Sequence, residues 1–146
     1  MYFHRLKSFY KGYMIIEVIL MKFKPIHSCI RVVNLEKSVD FYKNAFGFIE
    51  TRRKDYPDDK FTLVYMAPEE GAFEIELTYN YGHEPYDLGN GYSHIAVEVE
   101  DLEKEHEEHK SKGYRVTDLG GLSDAKRPSF YFITDPDGYD IEVIRA

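Results

Sequence analysis

The sequence predicts an α+β fold made of two tandem βαβββ modules, each sheet curling around a pocket, and three observations predict it. First, His27-Ser28-Cys29-Ile30-Arg31-Val32-Val33-Asn34-Leu35-Glu36-Lys37 returns 67 positions later as His94-Ile95-Ala96-Val97-Glu98-Val99-Glu100-Asp101-Leu102-Glu103-Lys104. Both copies carry a His, an apolar-rich run, an Asn or Asp suited to capping a helix, and Leu-Glu-Lys. Second, Gly47 and Gly113, both placed to close a helix, repeat at an offset of 66. Third, Ile75-Glu76-Leu77 repeats as Ile141-Glu142-Val143 at the same offset of 66. Self-similarity at a fixed period marks one unit used twice. The expected division is an N-terminal extension over 1–22 and a domain over 23–146. That domain splits into module one at 23–80, a linker at 81–91 and module two at 92–146.

Taken in order, the extension starts basic and turns apolar, but Glu17 interrupts it, which argues against a signal peptide. Its apolar run is far shorter than the roughly 20 residues a bilayer crossing needs. Met21 is the expected start, with residues 1–20 as translated upstream sequence; sequencing the native N-terminus checks this. Residues 25–33 alternate as a strand with His27, Cys29 and Arg31 on one face. Asn34 caps a helix whose apolar positions 35, 39, 42 and 46 follow the helical period up to Gly47. Strands near 48–54, 60–67 and 72–79 follow, separated by Tyr56-Pro57-Asp58-Asp59 and Pro68-Glu69-Glu70-Gly71. Three glycines and a proline keep the linker irregular. Module two repeats the plan with a strand at 92–99, a helix at 101–112 and strands near 114–118, 128–134 and 139–145. Loop 119–127 is polar, and Asp135-Pro136-Asp137-Gly138 is a tight turn.

Composition narrows the function classes. A formal net charge of −7, with no cluster of Lys and Arg, argues against a nucleic-acid surface. A single cysteine, Cys29, allows no internal disulfide and fits a reducing, cytoplasmic home.

The repeat also duplicates donor types. His27 opens the first strand of module one and Glu76 lies on its last strand; His94 and Glu142 take the same places in module two. If the copies pack about a pseudo-twofold, four ligands converge and leave room for two waters. Two imidazoles and two carboxylates suit Ni2+, Co2+, Mn2+ or Zn2+. A carboxylate inside an apolar strand also calls for a partner, because an unpaired buried charge is costly. Other features carry less. His106 and His109 lack the metalloprotease spacing and read as a solvated helix face among Glu and Lys. Cys29 reads as a small inward hydrophobe beside His27, and His83 as a linker residue.

From about residue 23 to 146 the chain resembles the vicinal oxygen chelate superfamily, and within it the glyoxalase I family. The resemblance rests on His27-Ser28-Cys29-Ile30-Arg31-Val32, Leu35-Glu36-Lys37-Ser38-Val39-Asp40-Phe41-Tyr42, Glu76-Leu77-Thr78-Tyr79-Asn80-Tyr81-Gly82, Tyr92-Ser93-His94-Ile95-Ala96 and Asp135-Pro136-Asp137-Gly138-Tyr139-Asp140-Ile141-Glu142. It implies that His27, Glu76, His94 and Glu142 are metal ligands. A His at the first position in a short chain is similar to the bacterial nickel- or cobalt-activated class, with Zn2+ and Mn2+ as the other candidate ions. By the same resemblance Arg31 and Asn80 contact glutathione, and Lys126 and Arg127 lie in the loop where relatives present basic residues to it. That loop departs from the family, with Asp124-Ala125-Lys126-Arg127-Pro128 in place of a Gly-rich segment.

The implied reaction joins methylglyoxal and a thiol, glutathione first among candidates, and isomerises their hemithioacetal to the S-lactoyl thioester. Glu142 would move the proton from the first carbon, with Glu76 on the opposite face and the enantiomer assignment open. A homodimer pairing halves of different chains is the implied assembly, with neither nucleic acid nor membrane as partner. Three competing readings share the fold. A thioester epimerase would use similar metal chemistry, and a glyoxalase could use another thiol. A metal-free binding protein of the bleomycin-resistance type would lack the ligands. Retention of all four argues against that last class, and the fourth ligand, Glu76, argues against three-ligand dioxygenases and fosfomycin-inactivating transferases.

Overall fold

Alternation, caps and turns build the elements largely where the sequence puts them. In the computed structural model, which describes residues 23–146, the order is β1 (His27–Arg31), α1 (Leu35–Phe46), β2 (Ile49–Tyr56), β3 (Phe61–Ala67), β4 (Glu74–Asn80), β5 (His94–Val99), α2 (Leu102–Ser111), β6 (Phe130–Thr134) and β7 (Asp140–Arg145). The expectations for residues 1–22 fall outside the described residues. Asn34 caps α1 by accepting from the Lys37 amide at 3.1 Å, and Asp101 caps α2 by accepting from the Lys104 amide at 3.1 Å. Such a cap contributes about 1 kcal/mol. Gly47 ends α1 at φ 68°, a left-handed conformation that costs other residues strain.

Two sheets result, one ordered β1-β4-β3-β2 and the other β5-β7-β6. In each, the first strand of the module pairs in parallel with its last strand. The expected strand at 114–118 is reduced to one bridge, Val116 to Ile133. The Thr117 amide donates to the Phe132 carbonyl at 2.9 Å, but the Phe132 amide donates to the Thr117 hydroxyl and the Thr117 carbonyl meets His106, so side chains take the groups that a continuous ladder would pair. Among the described residues no helix is long and apolar enough to cross a membrane.

The modules share one core. Ile30, Val39, Tyr42, Val64 and Leu77 of module one pack in the same cluster as Leu102, Tyr131, Ile133 and Val143 of module two. Polar bonds fix the join. The Asp135–Gly138 turn of module two meets the start of α1. Asp137 accepts from the Val33 amide at 2.9 Å and the Ser38 hydroxyl at 3.0 Å. Asp135 accepts from the buried Tyr42 hydroxyl at 3.0 Å. Burial pushes the Asp135 carboxyl up to about 6, against hydrogen bonds from Tyr139, Tyr42 and Asp137 that favour its charged form.

Two expectations are corrected here. His106 and His109 are buried, at 4% and 2% exposure, because α2 turns Leu102, His106 and His109 to the interior as one stripe. Their Nε2 atoms meet the carbonyls of Thr117 and Ala45, each at 2.8 Å. A carbonyl only accepts, so His109 Nε2 carries hydrogen and its Nδ1 takes the Tyr131 hydroxyl at 2.9 Å. Cys29 is exposed, because the His27 face of β1 is turned away from the core and Ile30 is the inward residue.

Candidate metal centre

Parallel pairing explains how each module presents one His beside one Glu. Glu76 is in register with Cys29, two residues beyond His27, and Glu142 is in register with Ala96, two residues beyond His94. Neighbouring strands in register share a face, so alternation brings each His and Glu to the same side. Ile75 and Leu77, like Ile141 and Val143, point to the core, which turns Glu76 and Glu142 to the open faces.

The resulting pairs have similar geometry. His27 Nε2 lies 3.4 Å from Glu76 Oε2, and His94 Nε2 lies 3.0 Å from Glu142 Oε2. The carboxylate side chains are 13% and 18% exposed and the imidazoles 33% and 30%, so a shielded anion sits beside an accessible ring in both. Each ring meets an aromatic edge. His27 lies 5.7 Å from Tyr65 and His94 lies 5.2 Å from Phe132, centroid to centroid. Tyr65 and Phe132 are the strand partners of Glu76 and Glu142. They were missed in the sequence, yet they stand 67 positions apart, the same offset that pairs the histidines.

The surroundings of the two carboxylates differ. Burial pushes Glu76 up, but hydrogen bonds from Tyr65, Cys29 and Thr78 and the nearby His27 outweigh it and leave the carboxyl below its ordinary value. Thr78 donates to Glu76 Oε1 at 3.0 Å and meets Cys29 Sγ at 3.3 Å. Burial and Glu76 together push the Tyr65 phenol up to about 12. Around Glu142 the counterparts of those donors are Ala96, Phe132 and Ile144, whose side chains have no hydrogen to donate.

The donor chemistry fits a divalent ion. A nitrogen and an oxygen each about 2.1 Å from one ion, at right angles, lie about 3 Å apart, close to both separations. One pair fills only part of a shell. The structure brings the four residues together as two pairs in separate sheets, and among the described residues no three His, Cys, Asp or Glu side chains are arranged around one ion. Convergence within one chain is therefore not what the fold gives, because both sheets turn their buried faces to a common core and their His–Glu faces away from it.

The residues expected to bind the thiol divide in the same way. Arg31 and Asn80 lie at the ends of β1 and β4, beside the first pair. Lys126 and Arg127 lie exposed in the loop before β6, with Arg127 near Glu103.

Known proteins resemble this chain in sequence and in fold. The family model described as the glyoxalase/bleomycin resistance protein/dioxygenase superfamily matches residues 24–143. A lactoylglutathione lyase of Neisseria meningitidis serogroup B is 45% identical over 122 residues, covering 82% of this chain and 88% of that protein. A probable lactoylglutathione lyase of Synechocystis is 41% identical over 123 residues, covering 83% and 94%. The trypanothione-dependent glyoxalase I of Leishmania major matches with a TM-score of 0.75 at 32% identity, over 85% of this chain and 87% of that one. The repeated strand pairing, the matched His–Glu pairs and these likenesses agree: the chain belongs to the glyoxalase/bleomycin resistance protein/dioxygenase superfamily.

Proposed function

We propose that the chain is a lactoylglutathione lyase, isomerising the hemithioacetal of methylglyoxal and glutathione to S-lactoylglutathione. The observation that carries this reading is the His–Glu pair repeated on both sheets at metal-ligand spacing. Identity of 45% to a lactoylglutathione lyase over most of both chains supports the substrate.

His27, Glu76, His94 and Glu142 would hold the ion, Ni2+ or Co2+ before Zn2+ or Mn2+. Once bound, it supplies Lewis acidity toward the substrate oxygens. The reaction moves one carbon-bound proton from the carbon bearing sulfur to its carbonyl neighbour and one hydroxyl proton from the first oxygen to the second, turning the hydroxyl into the thioester carbonyl and the ketone into a hydroxyl. Glu142 is assigned the proton transfer. Its strand neighbours Ala96, Phe132 and Ile144 have no side-chain hydrogen to donate to it beside His94, whereas Tyr65, Cys29 and Thr78 all hydrogen-bond to Glu76. A base needs an available lone pair, and a carboxylate already accepting several hydrogen bonds is the poorer one. Arg31 and Asn80 with Lys126 and Arg127 are assigned to the two carboxylates of glutathione, where fixed donors and cations fit. The separation of the two His–Glu pairs supports a homodimer in which module one of each chain faces module two of the other.

Metal-stripped protein tests this reading. It should form no thioester from methylglyoxal and glutathione, and Ni2+ or Co2+ should restore turnover better than Zn2+. A protein that makes no thioester with any of these ions is not a lactoylglutathione lyase.

A further inference from the structure

Tyr86, in the segment between β4 and β5, touches both module-one residues assigned to glutathione, and neither contact was visible in the sequence. Asn80 Nδ2 donates to its hydroxyl at 2.9 Å. The Arg31 guanidinium carbon lies 5.9 Å from its ring centroid, within cation–π range. On the ring, the His83 imidazole stacks at 4.1 Å with planes 13° apart. Tyr86 also lines an open cavity of about 410 Å³ together with Cys29, Arg31, Tyr92 and Tyr139, so its contacts border space that a ligand can enter.

From this geometry we propose that Tyr86 is a positioning residue that holds Arg31 and Asn80 in the orientation that reads the thiol's carboxylate. The proposal rests on the glutathione reading above. An arginine on an exposed strand end samples many rotamers, and ordering such a side chain on binding costs free energy. A ring beside the guanidinium removes part of that freedom beforehand. For Asn80, one amide hydrogen is committed to the phenol oxygen, which fixes the amide plane and leaves the second hydrogen for an acceptor. The phenol, accepting from Asn80, keeps its own hydrogen to donate. The segment joining the modules thereby acts on specificity as well as connection.

Tyr86→Phe keeps the ring and loses only the Asn80 bond, so KM for the hemithioacetal should rise about three- to ten-fold with kcat within about two-fold. Tyr86→Leu also loses the face beside Arg31, and its KM should rise further, by about another two- to five-fold. Because the hydroxyl acts through Asn80, Tyr86→Phe should change nothing further in an Asn80→Ala background, a result that a merely structural tyrosine would not give. Calorimetric binding of an S-alkyl glutathione to the metal-loaded enzyme should weaken in parallel with KM. Wild-type enzyme that ignores the S-alkyl glutathione would overturn the glutathione reading itself. Wild-type binding that Tyr86→Phe and Tyr86→Leu leave intact, or losses that persist in full without Asn80, would overturn the role of Tyr86 alone.

Discussion

Mixing two inactive variants reports how the half-sites are assembled. His27→Ala disables the pair on the first sheet and His94→Ala the pair on the second, and the fold keeps those pairs in separate sheets. If each complete site joins module one of one chain to module two of another, a mixed dimer holds one site with both lesions and one with none. Random pairing of equal amounts makes about half of the dimers mixed, each with one working site of two, so about one quarter of wild-type activity should return. The assay is thioester formation after co-refolding with Ni2+, with each variant refolded alone as the baseline. Mixing His27→Ala with Glu76→Gln supplies the control. Both lesions fall in the same module, every mixed site carries one, and no activity should return. Recovery in the control, or none in the His27→Ala and His94→Ala mixture, would refute the shared-site reasoning.

Three further outcomes are expected. Glu142→Gln should lower kcat by about 10²–10⁴-fold, the usual worth of a positioned base, while its circular dichroism stays wild type; full activity would remove Glu142 from the mechanism. Arg31→Ala should raise KM for the glutathione hemithioacetal more than it lowers kcat, since contacts to the thiol tail persist from ground state to transition state; unchanged KM, with faster turnover of another thiol, would reassign the cosubstrate. Asp135, held near a pKa of about 6, binds its proton more tightly in the folded chain than in the unfolded one, where about 3.9 is usual. Its contribution to stability is therefore greatest below about pH 4 and is lost as pH rises to about 6. Asp135→Asn keeps an acceptor for the Asp137 and Tyr139 amides and removes the titration. Urea unfolding should show the variant gaining about 2–3 kcal/mol on wild type between about pH 4 and pH 7, and a gap that does not change with pH would contradict the buried charge.

What the sequence made legible follows the repeat. A shared offset placed two strands, two capped helices and four donors, and strand alternation put Glu76 and Glu142 on the face opposite Ile75, Leu77, Ile141 and Val143. The misses have physical causes. On α2 the buried stripe contains one aliphatic residue, Leu102, and two histidines, so its composition read as solvated, while backbone carbonyls distant in sequence satisfied the imidazoles. Cys29 was read as inward from its residue type, but its strand face is set by its neighbour Ile30. Tyr65 meets the His27–Glu76 pair and Tyr86 meets Arg31 and Asn80, all on β1 and β4, and a single sequence carries no direct sign of such contacts.

The turn at Asp135–Gly138 has a counterpart one repeat earlier, Pro68-Glu69-Glu70-Gly71, and the glycines of both turns adopt positive φ, 97° and 82°. Their fates have diverged. Asp135 and Asp137 fasten module two to the first turns of α1, whereas Pro68, Glu69 and Glu70 lie in solvent. The two copies carry the same donor types and differ in their turns, one a fastener and the other plain surface. The halves are consequently not interchangeable parts. A chain built from module one twice would repeat the His–Glu pair but carry Pro68 where Asp135 receives the Tyr42 hydroxyl of the first helix.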